Sequence, residues 1–233
     1  MSIPAGLQVG GHTLEWGART YIMGILNITP DSFSGDGLLS AEDQTLQLEA
    51  AVEQARRFVA AGADILDIGG ESTRPGSQPV GAEEEARRIL PVVQALAAEV
   101  EAVISVDTYR AEVADRALQA GAHLINDVWA LRADPEMAGV IARHAAPVVL
   151  MHNRSSWAHT EIRERLGSAY AGPHYQDLMK EVCQELLESV EMARSAGISD
   201  EKIILDPGLG FGKSIPQNLE LIDRLGEIRD LGY

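Results

Sequence analysis

The chain has 233 residues, 45% apolar and 23% charged, enough apolar material for a buried core without disulfide or metal staples. Nineteen Lys and Arg stand against 35 Asp and Glu, a net charge of -16. That sign excludes a surface built to track a phosphate backbone or an anionic bilayer, so neither nucleic acid nor membrane is a partner on this reading.

At the N-terminus, MSIPAGLQVGGH shows no basic segment followed by an apolar run, and no stretch approaches the roughly 20 apolar residues of a membrane helix. A cytoplasmic location is the expectation. LQVGGHTLEW then predicts a hairpin turning at Gly10 and Gly11.

Short Val- and Ile-rich runs follow at YIMGILN (21 to 27), DILDIG (64 to 69), AVISVD (102 to 107), HLINDV (123 to 128), PVVLMH (147 to 152) and KIILD (202 to 206). They lack polar alternation, as strands covered on both faces do. Helical patterns lie between them. Ser40, with Asp43 three residues on, reads as one cap; Asp134 reads as another, with Pro135 at the first helical position; Gly62, Gly121 and Gly197 read as stops. Pro91 is expected to split the helical segment that contains it. The single cysteine, Cys183, cannot close an internal disulfide and sits among Leu178, Val182, Leu186 and Val190 at helical spacing, a packing thiol in a reducing compartment.

A joint of helix, Ala-Gly and strand recurs in AAGADILD, QAGAHLIND and SAGISDEKIILD, and the closing EIRDLGY has the same form. Strand-helix units in this order predict one domain over residues 1–233: an α/β, TIM-type (β/α)8 barrel with an N-terminal β-hairpin and about six units, the seventh and eighth missing. A doubly wound sheet is the rival, but ILNITPDSFSGDG after the first strand is not its G-x-G-x-x-G phosphate turn.

Polar residues gather where the strands end: Asn27, Asp67, Asp107, Asn126, Asp127, His152 and Asp206. In a barrel such positions open on one face, the face that carries active sites. NITPDSFSGDG and GGESTRPGSQPVG are long for plain connectors, and their hydroxyls, backbone N–H groups and Arg74 suit a phosphate-bearing ligand. DPGLGFGKS (206 to 214) nearly matches the nucleotide P-loop, but Pro207 stands where the first glycine belongs and has no N–H. His152, His159 and His174 are too far apart to read as metal ligands, and HExxH is absent.

GILNITPDSFSGDG, DILDIGGESTRPG, ISVDTYR, LINDV and ILDPGLGFGK, in that order, resemble the dihydropteroate synthases of folate synthesis. The resemblance implies a barrel transferase that joins 6-hydroxymethyl-7,8-dihydropterin diphosphate to 4-aminobenzoate and is a sulfonamide target. By motif match it implies Asp107, Asn126, Asp206 and Phe211 at the pterin, with Asp107 and Asp36 catalytic. Thr73, Arg74, Phe33 and Pro75 fall to the diphosphate and aminobenzoate, and Asn27 to Mg²⁺. It also implies a homodimer for a full-length form. The first loop here reads SGDG where the family more often has SDGG, and neither its Ser-Arg-Lys nor its Arg-x-His motif occurs, so a longer parent protein is expected. The alternatives are a non-catalytic pterin-binding paralogue or inactive fragment, and the pterin domain of a methyltransferase. The loops TPDSFS and ESTRPG speak against the methyltransferase, whose donor brings no diphosphate.

Overall fold

In the computed structural model, which describes residues 6–29, 44–71, 80–155 and 174–233, β1 (Leu7–Val9) pairs antiparallel with β2 (His12–Leu14). The turn residues Gly10 and Gly11 sit at φ 56° and 79°, a conformation that glycine reaches without a Cβ clash. Gly10 is constrained twice, because a Cβ there would stand 2.4 Å from the His123 ring.

Six parallel strands follow: β3 (Met23–Asn27), β4 (Ile65–Gly69), β5 (Val103–Asp107), β6 (Leu124–Asp127), β7 (Val148–Met151) and β8 (Ile203–Asp206). Each is followed by a helix in turn, α1 (Gln44–Ala60), α2 (Ala82–Glu99), α3 (Ala111–Ala120), α4 (Met137–His144), α5 (Leu178–Ser195) and α6 (Ile215–Asp223), with a short α7 (Leu225–Arg229) after the last. Every strand neighbours the next in sequence, from β3 to β8. That order is the (β/α)8 barrel's; a doubly wound sheet reverses direction partway.

Strand parity divides the core. Leu66, Ile68, Ile104, Val106, Ile125, Val148 and Leu150 pack outward on Ala51, Ala55, Ile89, Val93, Ala114, Ile141 and Val190 of the helices. Ile65, Val103, Leu124 and Val149, of opposite parity and near the strand starts, pack on Leu7, Val9 and Leu14 of the hairpin. The hairpin therefore closes the N-terminal end, and the C-terminal strand ends are left for a site.

Gly62, Gly121 and Gly197 end their helices at φ 99°, 111° and 95°, as the sequence predicts. Two expectations are corrected. Helix α2 runs unbroken through Pro91, whose side chain faces solvent while Ile89, Val92, Val93 and Leu96 are buried. Burial at about 1.5–3 kcal/mol per side chain outweighs the ~3 kcal/mol cost of one internal proline. Asp134 does not cap α4, whose N-cap residue is Glu136; its carboxylate accepts from Glu136 N at 3.0 Å and from Ala111 N at 2.9 Å. It thus caps α3, where Arg110 supplies no side-chain cap. Ser40 and Asp43 lie outside the described residues. Cys183 packs beside the Leu178, Val182 and Leu186 cluster, and burial pushes its thiol pKa up. Among the described residues no helix is long and apolar enough to cross a membrane.

Candidate active site

Asn27, Gly69, Asp107 and Asn126 stand in one row, paired residue to residue across β3, β4, β5 and β6. Inward parity gives the interior Asp67 and Ser105 as the next pair down, two residues before Gly69 and Asp107. Asp67 is therefore inside β4 and not at its end, where the sequence reading had placed it. Gly69 keeps the row open, since a Cβ there would lie 3.7 Å from both Asn27 Oδ1 and Asp107 Oδ2.

The hydrogen bonds in this interior are lopsided. Ser105 Oγ donates to Asp67 Oδ1 at 2.6 Å and Asn126 Nδ2 to Asp67 Oδ2 at 3.0 Å. Only the amide nitrogen of Asn126 can donate to a carboxylate, so the amide orientation is fixed, and its Oδ1 is left buried without a partner among the described residues. Asp107 accepts no hydrogen bond among the described residues and keeps some surface open at the mouth, although protein crowds its other sides. Burial, then the Asp67 charge beside it, pushes the Asp107 pKa well up, and burial raises Asp67 as well. Two acidic groups and an orphan acceptor thus converge, an arrangement that calls for a ligand rich in N–H donors or positive charge.

Asp206 ends β8 opposite Met151, and its Oδ1 accepts from Gly208 N at 2.7 Å. Burial raises its pKa too. The loop beyond it lies against the backbone of residues 152 to 154. A Cβ on Gly208 would meet His152 O at 1.9 Å, and one on Gly212 would meet Arg154 C at 2.1 Å, so only glycine fits either position. This packing sets Phe211 against Val128, Trp129, Ala133 and Met151. Lys213 Nζ turns inward onto Gly208 O at 2.8 Å, Phe211 O at 3.1 Å and His152 O at 3.3 Å. The near match to a P-loop therefore offers no lysine to an anion.

Of the predicted site residues, Asn27, Asp107 and Asn126 share the row, while Asp206 and Phe211 come from β8 and its loop. Asp36, Phe33, Thr73, Arg74 and Pro75 lie outside the described residues. Asp127 belongs to the scaffold: its carboxylate accepts from Trp129 N at 2.8 Å and Leu131 N at 2.7 Å and holds a turn in which Ala130 and Leu131 have φ of 51° and 66°.

Sequence reasoning missed two supporting groups. Arg110 donates to Glu71 Oε2 at 2.8 Å and to Val80 O at 2.6 Å, and Val80 N donates to Glu71 Oε2 at 3.3 Å. Glu71 and Val80 are the described residues that flank Thr73 to Pro75, so Arg110 and Glu71 tie the stems of that loop together. Glu185 of α5 is the second; it lies 3.1 Å from His152 Nε2 and pairs with Arg154. Arg110 and Glu71 stand inside the ISVDTYR and DILDIGGESTRPG segments, but no spacing shows that they pair, and Glu185 lies in none of the quoted segments.

The family model for pterin binding enzymes matches residues 23–233. A dihydropteroate synthase of Clostridium beijerinckii is 43% identical over 97% of this chain and 76% of its own length. One of Bacillus subtilis is 44% identical over 94% and 70%. The solved structure of Xanthomonas albilineans dihydropteroate synthase with 4-aminobenzoic acid superposes with a TM-score of 0.84 at 41% identity, covering 99% of this chain and 76% of that one. With its row of interior acceptors, its barrel order and these relatives, the chain belongs to the pterin binding enzymes and, within them, to the dihydropteroate synthases, a family of transferases.

Proposed function

We propose that this chain carries the site for condensing 6-hydroxymethyl-7,8-dihydropterin diphosphate with 4-aminobenzoate to 7,8-dihydropteroate and diphosphate. The observation that carries the reading is the buried Oδ1 of Asn126, without a partner among the described residues, together with the acidic groups of Asp107 and Asp206. A pterin edge is planar and rich in N–H donors, the complement of such acceptors. Two solved relatives support the choice: one from Clostridium difficile in the presence of pteroic acid, and one from Burkholderia cenocepacia complexed with 7,8-dihydropteroate.

In this proposal Asn126 and Asp206 accept from the pterin edge and Phe211 borders the ring. The pterin methylene C–O bond breaks first and diphosphate leaves with the electron pair, generating a pterin-methylene cation. Asp107, short of hydrogen-bond donors in its own surroundings, stabilises that positive charge, an electrostatic effect that ranks among the largest in catalysis. The amine nitrogen of 4-aminobenzoate then attacks the methylene carbon, the C–N bond forms, and the nitrogen releases a proton. Asp36 joins the catalytic set, and Thr73, Arg74, Phe33 and Pro75 enclose the diphosphate and aminobenzoate.

Asn27 would hold Mg²⁺ through Oδ1. An amide oxygen is a hard ligand that this ion accepts, and among the described residues no cluster of three His, Cys, Asp or Glu forms a cage. Such an ion is therefore best supplied with the diphosphate, whose charge it would neutralise. A cytoplasmic location and a homodimeric assembly belong to the same proposal.

The test is binding first and turnover second. Asp206→Ala should lower affinity for 6-hydroxymethylpterin by about a hundredfold, since a charged partner of a buried donor is removed. Asn27→Ala should weaken magnesium diphosphate by roughly tenfold and leave free pterin within about twofold. Unchanged pterin affinity in Asp206→Ala would overturn the assignment.

A further inference from the structure

Lys213 is 9% exposed, yet its ammonium group is not turned to solvent. Besides the three carbonyl oxygens of Gly208, Phe211 and His152, Nζ lies 3.0 Å from His152 Nδ1. Three carbonyl acceptors on Nζ call for the three N–H donors of the ammonium form, which has no lone pair, so His152 Nδ1 is assigned as acceptor and the ring proton to Nε2. Nε2 in turn faces Glu185 Oε2 at 3.1 Å, an ion-pair distance bent away from a straight hydrogen bond. Burial acts to raise the Glu185 pKa, but His152 and Arg154 outweigh it and hold the carboxyl at about 2. Burial drives His152 down to about 4, so Glu185 is ionised and the ring is neutral at physiological pH.

The chain of contacts continues past Lys213. Gly208 O accepts from Lys213, and the N–H of the same glycine donates to Asp206 Oδ1. Phe211 O accepts from Lys213 as well, which sets the backbone that carries the Phe211 ring. Burying a lysine is expensive, and desolvation lowers its pKa to about 7. An apolar side chain would fill the space at less cost but would leave three carbonyls without that donor.

We propose that Lys213, oriented by His152 and Glu185, is a positioning residue for the pterin end of the site, fixing the loop after β8 so that Asp206 and Phe211 meet the ligand. The role rests on the pterin reading given above and extends it to three residues that touch no ligand in it. Losing such a support should act on pterin and spare the diphosphate end, which lies across the interior on β3.

The experiment measures dissociation constants of the unsubstituted chain and of Lys213→Met for two probes, 6-hydroxymethylpterin by fluorescence titration and magnesium diphosphate by calorimetry. Lys213→Met should bind the pterin about tenfold or more weakly and magnesium diphosphate within about twofold of the original, the scale on which supporting contacts act. A folded Lys213→Met with pterin affinity within about twofold overturns the role, and so does equal weakening of both probes. Should Lys213→Met not fold, Glu185→Leu and Glu185→Gln decide. Leucine should weaken pterin selectively by roughly threefold or more, and glutamine, which keeps an oxygen for His152 Nε2–H, should restore it. Matching affinities in these two variants overturn the role. Absence of pterin binding by the unsubstituted chain would overturn the pterin reading itself and this role with it.

Discussion

Along β4, β5 and β6 the interior holds more acceptors than donors: Asp67 takes hydrogen bonds from Ser105 and Asn126, Asp107 takes none among the described residues, and Asn126 Oδ1 is left over. Past β7 and β8 the accounts differ, because Lys213 alone serves three carbonyls and a ring nitrogen, and Glu185 answers both His152 and Arg154. Both regions are buried and polar, but what is left over among the described residues differs: acceptors in the first, and in the second Ser155 Oγ and the His152 Nε2 donor, which already lies 3.1 Å from the Glu185 carboxylate. A buried polar group that the protein satisfies itself is scaffold; one that it leaves wanting is where a ligand supplies the missing partner.

Substitutions can break this contrast. The largest effect should come from Asp127, the self-satisfied neighbour of Asn126. Asp127→Ala removes acceptors from two N–H groups and frees a turn with two non-glycine residues at positive φ, and should lower stability by about 3 kcal/mol in urea titrations. A loss below about 0.5 kcal/mol would remove Asp127 from the scaffold.

A smaller effect of opposite sign is expected at Asp107. Its folded pKa is raised, so the folded state holds the proton more tightly than the unfolded chain; the associated stability is full below the ordinary value near 3.8 and is lost as pH rises through the folded value. Asp107→Asn should therefore raise stability by about 1 kcal/mol at pH 7 while removing catalysis, and the gain should fade below about pH 4. Thermal melts at the two pH values check it, and an equal gain at both would sink the electrostatic account.

The barrel, the hairpin turn and three helix stops were legible because each is written locally, in apolar runs and in glycines at fixed places. Asn27, Asp107, Asn126 and Asp206 were legible for the same reason, being polar residues at strand ends. Asp67 was misread as one more strand end although the run DILDIG already extends to Gly69, because a polar residue late in an apolar run was grouped with those that close the other strands. Pro91 and Asp134 were misread because local rules were overridden from outside, by the buried stripe of α2 in one case and by the unfilled N-terminus of α3 in the other. The His152 and Lys213 contact spans 61 residues and the His152 and Glu185 contact joins the residue after β7 to α5, so no spacing announces either.

The hairpin that closes the barrel floor has a kinetic consequence. Leu7, Val9 and Leu14 meet Ile65, Val103, Leu124 and Val149, with Ile204 beside them, partners drawn from nearly the full run of strands. Contacts of such sequence separation carry the largest loop-closure entropy and have a complete docking surface only once those strands are assembled. The plug should therefore seat late, after the rate-limiting step, and act as a latch on unfolding. Leu14→Ala should speed unfolding roughly tenfold or more and leave refolding within about twofold in stopped-flow chevrons, whereas an equal drop in refolding rate would place the plug in the folding nucleus.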